Sequence, residues 1–248
     1  MDKIQTFKNQ IEDSKKIVFF GGAGVSTASG IPDFRSSNGI YNTATGYKAT
    51  GEEILSIPFF NKDPKTFFEF SFNEMYFPEI KPSTSHIFLS KLENEYNKDV
   101  TIVTQNIDGL HQKAGSKKVY ELHGTQATAH CTQCGEKYDG DEIFNLLNED
   151  RIPICKKCGG IVRHDVVLFG QSLPREALFN SINAIENADM LIIAGTSLNV
   201  YPAAGLIDYF RGKYVVVLNK EKLHIRLNNY LEFIGDMNDV FKKLLEIM

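Results

Sequence analysis

Four short apolar runs constrain the fold of this chain more than any other feature of its 248 residues. Each run is flanked by glycine, asparagine or charged residues, as expected of strands that are buried on both faces. Helical patterns such as "SHIFLSKLENEYN" and "PREALFNSINAIENA" lie between the runs. Strands that alternate with helices favour a mostly parallel sheet, and the sequence therefore predicts an α/β fold. The runs are residues 17–20, 100–104, 190–194 and 214–218.

Two segments interrupt this alternation and predict a second, smaller domain. Residues 38–82 are rich in aromatic side chains, and residues 125–163 contain all four cysteines. We expect these two insertions to form one small domain with a helical part and a zinc-ribbon part. The sheet domain would then consist of residues 1–37, 83–124 and 164–248, and the chain is long enough for both units.

The cysteines give the most specific chemical signal. Cys131 and Cys134 form one C-x-x-C pair, Cys155 and Cys158 form a second, and twenty residues separate the pairs. Four thiolates at this spacing are typical of a closed tetrahedral zinc site. Disulfides or unrelated buried thiols are the alternatives, and disulfides are disfavoured because the N-terminal residues show no secretory signal pattern. The sequence thus predicts one structural zinc ion per chain without a catalytic role.

Charge and hydropathy exclude two classes of partner. The formal net charge is -4, which provides no basic surface for nucleic acid. No apolar stretch approaches the roughly 18 residues that a membrane-spanning helix needs. We expect a cytoplasmic protein, monomeric, without nucleic-acid or membrane partners.

The stretch "GGAGVSTASGIPDFR" follows the apolar run "KIVFF" and predicts an anion site. Glycines after a buried strand bring backbone amides close to a phosphate, and the start of the next helix favours negative charge. The dehydrogenase fingerprint is absent, because neither the third glycine nor the later carboxylate is in place. Gly30 and Pro32 end the helix instead. We expect the loop to cover a bound nucleotide with Asp33, Phe34 and Arg35; a helix cap followed by a surface turn is the alternative.

These features belong to an ordered set of motifs that resembles the sirtuins, the NAD-dependent protein lysine deacylases, especially the compact bacterial members. The resemblance covers nearly the whole chain and implies a Rossmann-like domain that binds NAD. It also implies that an acyl group passes from acyl-lysine to ADP-ribose and that nicotinamide is released. The motifs are "GAGVSTASGIPDFR", "TQNIDGLHQKAG", "ELHG", the two C-x-x-C pairs, "VVLFG", "GTSLNVYPAAG" and "VVVLNK".

The same resemblance assigns roles to individual residues. His123 corresponds to the general base, and Asn106 and Asp108 to the contacts with the nicotinamide ribose and carboxamide. Val167 and Phe169 would flank the acyl-lysine on a strand "VVLFG" that pairs with the peptide. A lone histidine is more often structural, but His123 ends the strand-like "KVYEL" at the junction of the two expected domains. The implied NAD contacts are Gly22, Ala23, Gly24, Thr27, Asp33, Phe34, Arg35, Gln105, Asn106, Ile107, Asp108, His123, Gly195, Thr196, Ser197, Asn219, Lys220 and Asp236.

Departures from the family pattern concern the substrate side. His164 stands where sirtuins commonly have proline, and Gln171 stands where they commonly have glutamate. Phe68 and Ser71 align with the tyrosine and arginine of succinyl-selective members, so we expect an apolar acyl group. An ADP-ribosyltransferase and a non-catalytic NAD sensor are the alternative functions, and an intact His123 favours deacylation over both.

Overall fold

A computed structural model describes residues 2–43 and 46–248. Its main sheet contains six parallel strands in the spatial order 3-2-1-7-8-9. When these six strands are renumbered one to six along the chain, their spatial order is 3-2-1-4-5-6, which is the Rossmann order. All four apolar runs are strands, so the predicted α/β class is confirmed. The strands are β1 (Lys16–Gly21), β2 (Asp99–Thr104), β3 (Val119–Glu121), β7 (Met190–Ala194), β8 (Tyr214–Asn219) and β9 (Leu231–Ile234).

Helices cover both faces of this sheet. Helices α1 (Lys3–Asp13), α6 (Thr84–Asn94) and α9 (Met237–Ile247) pack on one face, and α8 (Arg175–Glu186) and a 3₁₀ segment (Ala203–Tyr209) pack on the other. Alternate residues of β1 enter the two cores, with Phe19 on the α1 side and Phe20 on the α8 side. The strands are apolar throughout because both of their faces are buried.

The two inserted segments share a third hydrophobic core. The first contributes helices α2 (Ile40–Thr43), α3 (Gly51–Ile54), α4 (Ile57–Lys62) and α5 (Pro64–Glu74); the second contributes strands β4 (Gly124–Cys131), β5 (Lys137–Asp139) and β6 (Val162–Val166). The strands form an antiparallel sheet in the order β5-β4-β6. Phe67, Phe68 and Phe70 of α5 pack with Ala129 and Val162 of this sheet. Since β6 crosses the expected boundary between residues 163 and 164, we propose to end the small domain after 166.

One predicted strand is different in the structure. The sequence predicts a strand over "VVLFG", whereas β6 ends at Val166. Beyond it, the amide of Val167 donates to the carbonyl of His123 (2.8 Å) and the amide of Phe169 donates to the carbonyl of Leu55 (2.9 Å). These acceptors lie outside the strands, so residues 167–169 form an extended bridge rather than part of a sheet.

The remaining helix, α7 (Leu110–Lys113), is a single turn after β2. Within residues 2–43 and 46–248, none of the helices combines the length and the apolar character that crossing a membrane requires.

Candidate active site

A cleft of about 1070 Å³ lies between the main sheet and the small domain. It opens at the carboxyl ends of β1, β2, β7 and β8, where open parallel sheets bind their ligands. Its volume is at the upper end of the range for small-molecule sites, which suits an extended ligand such as a dinucleotide. The structure brings every residue predicted to contact NAD or substrate into its wall: Gly22, Ala23, Gly24, Thr27, Asp33, Phe34, Arg35, Gln105, Asn106, Ile107, Asp108, His123, Val167, Phe169, Gly195, Thr196, Ser197, Asn219, Lys220 and Asp236.

Three glycines hold the loop after β1 against the loop after β7. The amide of Gly22 donates to the carbonyl of Ala194 (3.1 Å), and the amide of Gly24 donates to that of Gly195 (2.8 Å). A Cβ atom on Gly24 would lie 2.8 Å from the Cα of Gly195. Gly195 itself has a φ of +58°, which side chains rarely adopt. The glycines thus allow the two loops to pack closely, and the contact of this turn with an anion stays a prediction.

The chain after this turn forms two 3₁₀ turns, Ala23–Val25 and Thr27–Ser29, instead of one short helix. Gly30 ends the second turn with a φ of +98°. The next residues then reach the small domain, where the ring of Phe34 lies 5.4 Å from that of Tyr41. The break after Gly30 therefore turns the chain away from the sheet, as the sequence predicts.

Two charged residues of this loop already have partners in the protein. An Oδ1 atom of Asp33 accepts hydrogen bonds from the amides of Arg35 (3.0 Å) and Ser36 (2.8 Å). The guanidinium of Arg35 donates to Glu52 at 2.7 Å. Both side chains line the cleft as well, so contact with a nucleotide stays a prediction for them.

A serine that the sequence analysis missed joins the two polar residues after β2. The hydroxyl of Ser26 donates to Oδ2 of Asp108 (2.7 Å) and accepts from Nδ2 of Asn106 (3.0 Å). The amide of Leu110 donates to the other carboxylate oxygen of Asp108 (2.9 Å). Burial raises the pKa of Asp108, while these donated hydrogen bonds and Lys113 oppose the shift. The motif "GAGVS" contains Ser26, but only the fold brings it to a residue 82 positions later.

His123 stands where the cleft meets the small domain. Its Nδ1 atom lies 3.0 Å from the carbonyl oxygen of Gln105. Because that oxygen can only accept, Nδ1 carries the proton in the neutral ring and Nε2 keeps its lone pair. Burial lowers the pKa of His123, and the positive charge of Arg35 adds to the decrease, whereas the bond to Gln105 opposes it. The histidine is thus a neutral ring with a basic nitrogen at physiological pH.

Polar residues after β7 and β9 close the opposite part of the cleft. Oγ1 of Thr196 accepts from Nε2 of Gln105 (3.1 Å) and from the amide of Leu198 (3.1 Å). Asp236 caps α9, because its Oδ1 atom accepts from the amide of Asn238 at 2.8 Å. These bonds fix the polar groups that the cleft presents at this end.

The four cysteines come together outside the cleft. Their sulfur atoms all lie within 4.8 Å of one another, and Cys131 and Cys158 are 3.4 Å apart. Tetrahedral zinc with bonds of about 2.3 Å places its sulfurs roughly 3.8 Å apart, so the cluster fits the metal and is too open for disulfides. Gly135 and Gly159 directly follow the two C-x-x-C pairs, and their φ angles of +71° and +76° allow the chain to turn there. None of the cysteines lines the cleft, which agrees with a structural role.

The chain belongs to the Sir2 family, whose sequence model matches residues 22–202. The predicted sirtuin resemblance is therefore confirmed.

Among individual relatives, an NAD-dependent protein deacetylase of Clostridium acetobutylicum is 50% identical over 220 residues, covering 89% of each chain. One from Staphylococcus aureus is 38% identical and covers 98% of each chain. A solved structure of Sir2 with a p53 peptide and NAD+ has a TM-score of 0.86 at 33% identity and covers 100% of this chain and 98% of its own. Another, which holds a deacetylated p53 peptide and 3'-O-acetyl ADP ribose, has a TM-score of 0.89 at 33% identity and covers 99% of this chain and 98% of its own.

Proposed function

We propose that this chain is an NAD-dependent protein lysine deacylase that transfers the acyl group of an acyl-lysine peptide to ADP-ribose and releases nicotinamide. The observation that carries the proposal is a single cleft that collects the glycine turn, the polar residues after β2 and a neutral histidine with a free Nε2. The names of the relatives and the ligands of the neighbouring structures support it.

The cleft suits NAD in its size and in the order of its polar groups. Asn219, Lys220 and Asp236 would hold the adenosine, and Thr196 and Ser197 the adjoining ribose and phosphate. Asn106 and Asp108 would hold the nicotinamide end; each carboxylate oxygen of Asp108 already accepts one bond and keeps capacity for another. When bound, NAD supplies the ribose that receives the acyl group and nicotinamide as the leaving group.

His123 is the proposed general base. Its Nε2 atom would take a proton from a ribose hydroxyl, and the bond from Nδ1 to Gln105 would hold the ring in the required tautomer. Because the lowered pKa keeps the ring neutral at pH 7, the base is ready without prior loss of a proton.

The acyl-lysine would enter beside residues 166–170. Val167 and Phe169 line the cleft, and an extended peptide can pair with the backbone of such a segment.

Phe34 would cover the reacting ribose and exclude water. A structural zinc ion on the four thiolates would hold the small domain, and cysteines that bind zinc rather than form disulfides suit a cytoplasmic location.

The test is an assay with NAD and an acetyl-lysine peptide, read by mass spectrometry. We expect deacetylated peptide, nicotinamide and O-acetyl-ADP-ribose in equal amounts. A peptide that gains the mass of ADP-ribose would instead indicate an ADP-ribosyltransferase. Binding of NAD without any turnover would indicate a sensor.

A further inference from the structure

Asn238, in the first turn of α9, joins two parts of the sheet domain with one side chain. Its Oδ1 atom accepts hydrogen bonds from the amide (3.1 Å) and the hydroxyl (2.8 Å) of Ser85. Its Nδ2 atom donates to Oδ1 of Asp236 at 3.0 Å. Because a backbone amide can only donate and a carboxylate can only accept, these contacts fix which way the Asn238 amide points. Asp236 lines the cleft, whereas Asn238 stands behind it.

The contact with Ser85 anchors the Asn238 side chain. Ser85 is fully buried in the first turn of α6. Amides in the first turn of a helix have no acceptor within that helix. The oxygen of Asn238 supplies one, so this side chain cannot turn away without leaving the amide of Ser85 unpaired, which is costly.

The contact with Asp236 restrains a carboxylate of the cleft. Its Oδ1 atom accepts from the backbone amide of Asn238 (2.8 Å) and from the Asn238 side chain (3.0 Å). A helix cap needs only the backbone bond. The side-chain bond therefore does something further, because it limits rotation of the carboxylate. Both bonds reach one oxygen, and within residues 2–43 and 46–248 the other, Oδ2, has no hydrogen-bond partner.

We propose that Asn238 is a positioning residue for NAD, which holds the carboxylate of Asp236 so that Oδ2 can accept a hydrogen bond from the adenosine. The inference rests on the function proposed above, in which Asp236 contacts the adenosine, and adds no step to its chemistry. Adenosine offers suitable donors, namely its ribose hydroxyls and the 6-amino group of adenine. Since the adenosine does not react, loss of this contact should weaken NAD binding and leave the chemical step intact.

The test measures KM for NAD and kcat with an acetyl-lysine peptide, and Kd for NAD by calorimetry. Asn238→Asp keeps an oxygen for Ser85 but replaces the donor to Asp236 with a second carboxylate oxygen. We expect KM and Kd to rise about fivefold or more, because a hydrogen bond that orients a charged group is lost, and kcat to stay within about twofold. Asn238→Leu removes both contacts without adding charge and should raise KM and Kd as well.

Asp239→Asn is the matched control, because it changes the charge of an exposed neighbour in the same turn of α9, outside the cleft. KM and Kd should then stay within about twofold of the wild-type values. Asp236→Ala removes the carboxylate and should raise Kd. In that background Asn238→Asp should have no further effect, since Asn238 acts through Asp236.

The inference is overturned if Asn238→Asp or Asp236→Ala leaves Kd for NAD within about twofold of the wild-type value. It is also overturned if Asn238→Asp raises Kd equally with and without the carboxylate of Asp236. Failure of the proposed function is a different result. A protein that binds NAD but processes no acyl peptide overturns the deacylase function, while Kd still tests the role of Asn238.

Discussion

The sheet domain and the small domain are built in different ways. The sheet domain has two aliphatic and aromatic cores, one on each face of six parallel strands, and its cleft residues follow the strand ends. The small domain has one core, assembled from two distant segments around three short strands and the cysteine cluster. One domain is held by a continuous hydrogen-bonded sheet, and the other by one shared core and a cysteine cluster within its second segment.

Because of this difference, the two sides of the cleft are held in place in different ways. The sheet side presents loops fixed by hydrogen bonds between neighbouring strand ends, such as those from Gly24 to Gly195 and from Gln105 to Thr196. The small-domain side presents side chains, such as Phe34 and Tyr41, whose positions depend on packing. A change in the small domain should therefore lower turnover of the substrate while the sheet domain stays folded.

Loss of the zinc ion should have the largest effect. Structural zinc contributes on the order of 10 kcal/mol to the folding of small metal-bound units, so Cys155→Ser should unfold the small domain and abolish turnover while the sheet stays folded. Elemental analysis should give one zinc per chain of wild-type protein, and hydrogen exchange should locate the unfolding. Lys156→Ala, an exposed neighbour, is the control. Folded, active protein without zinc would contradict the prediction.

Removal of the general base comes next. His123→Ala should lower kcat by about 100-fold or more, as expected for a general base, with NAD affinity nearly unchanged by calorimetry. His224→Ala changes an exposed histidine outside the cleft and should have no effect. A loss below about tenfold would mean that another residue is the base.

Removal of the Phe34 ring from the covering loop should have a smaller effect. Phe34→Ala should lower deacylation by about tenfold, because water reaches the reacting ribose, and it should weaken NAD binding less. Phe179→Ala on α8, where the ring is 64% exposed, is the matched control. Equal losses in binding and turnover would show that Phe34 only holds the cofactor.

The smallest effect is a shift in pH dependence. His123 must be neutral to accept a proton, and burial lowers its pKa from the ordinary value of 6.5. Activity should therefore persist below pH 6.5 and decline only as the pH falls through the lowered pKa. The acid limb of kcat/KM measures this value, and a midpoint above 6.5 would contradict the assignment.

The sequence predicted most of the sheet domain because its signals are local. Buried strands such as residues 190–194 are continuous apolar runs, and the glycine turn follows its strand directly. The zinc site was equally predictable, since the spacing of the cysteines within each C-x-x-C pair is a short-range pattern. The cleft residues could be named because their motifs resemble those of the sirtuins.

Contacts across the chain could not be predicted in the same way. The bonds from Ser26 to Asp108 and from Ser85 to Asn238 depend on how distant segments pack. The hydrogen bond from the amide of Gly22 to the carbonyl of Ala194 joins residues 172 positions apart and is likewise invisible in the sequence. The segment "VVLFG" is apolar enough for a strand, but its hydrogen-bond partners are loop residues.

A crystal structure with NAD and an acetyl-lysine peptide tests the central claim most directly, namely that the sheet side holds the cofactor and the small-domain side holds the acyl-lysine. We expect adenosine beside Asn219 and Asp236, the nicotinamide ribose within hydrogen-bond reach of Nε2 of His123 and under Phe34, and the peptide along residues 166–170. A ribose remote from residues 32–35 and His123, or an acyl-lysine bound outside the cleft, would contradict the account.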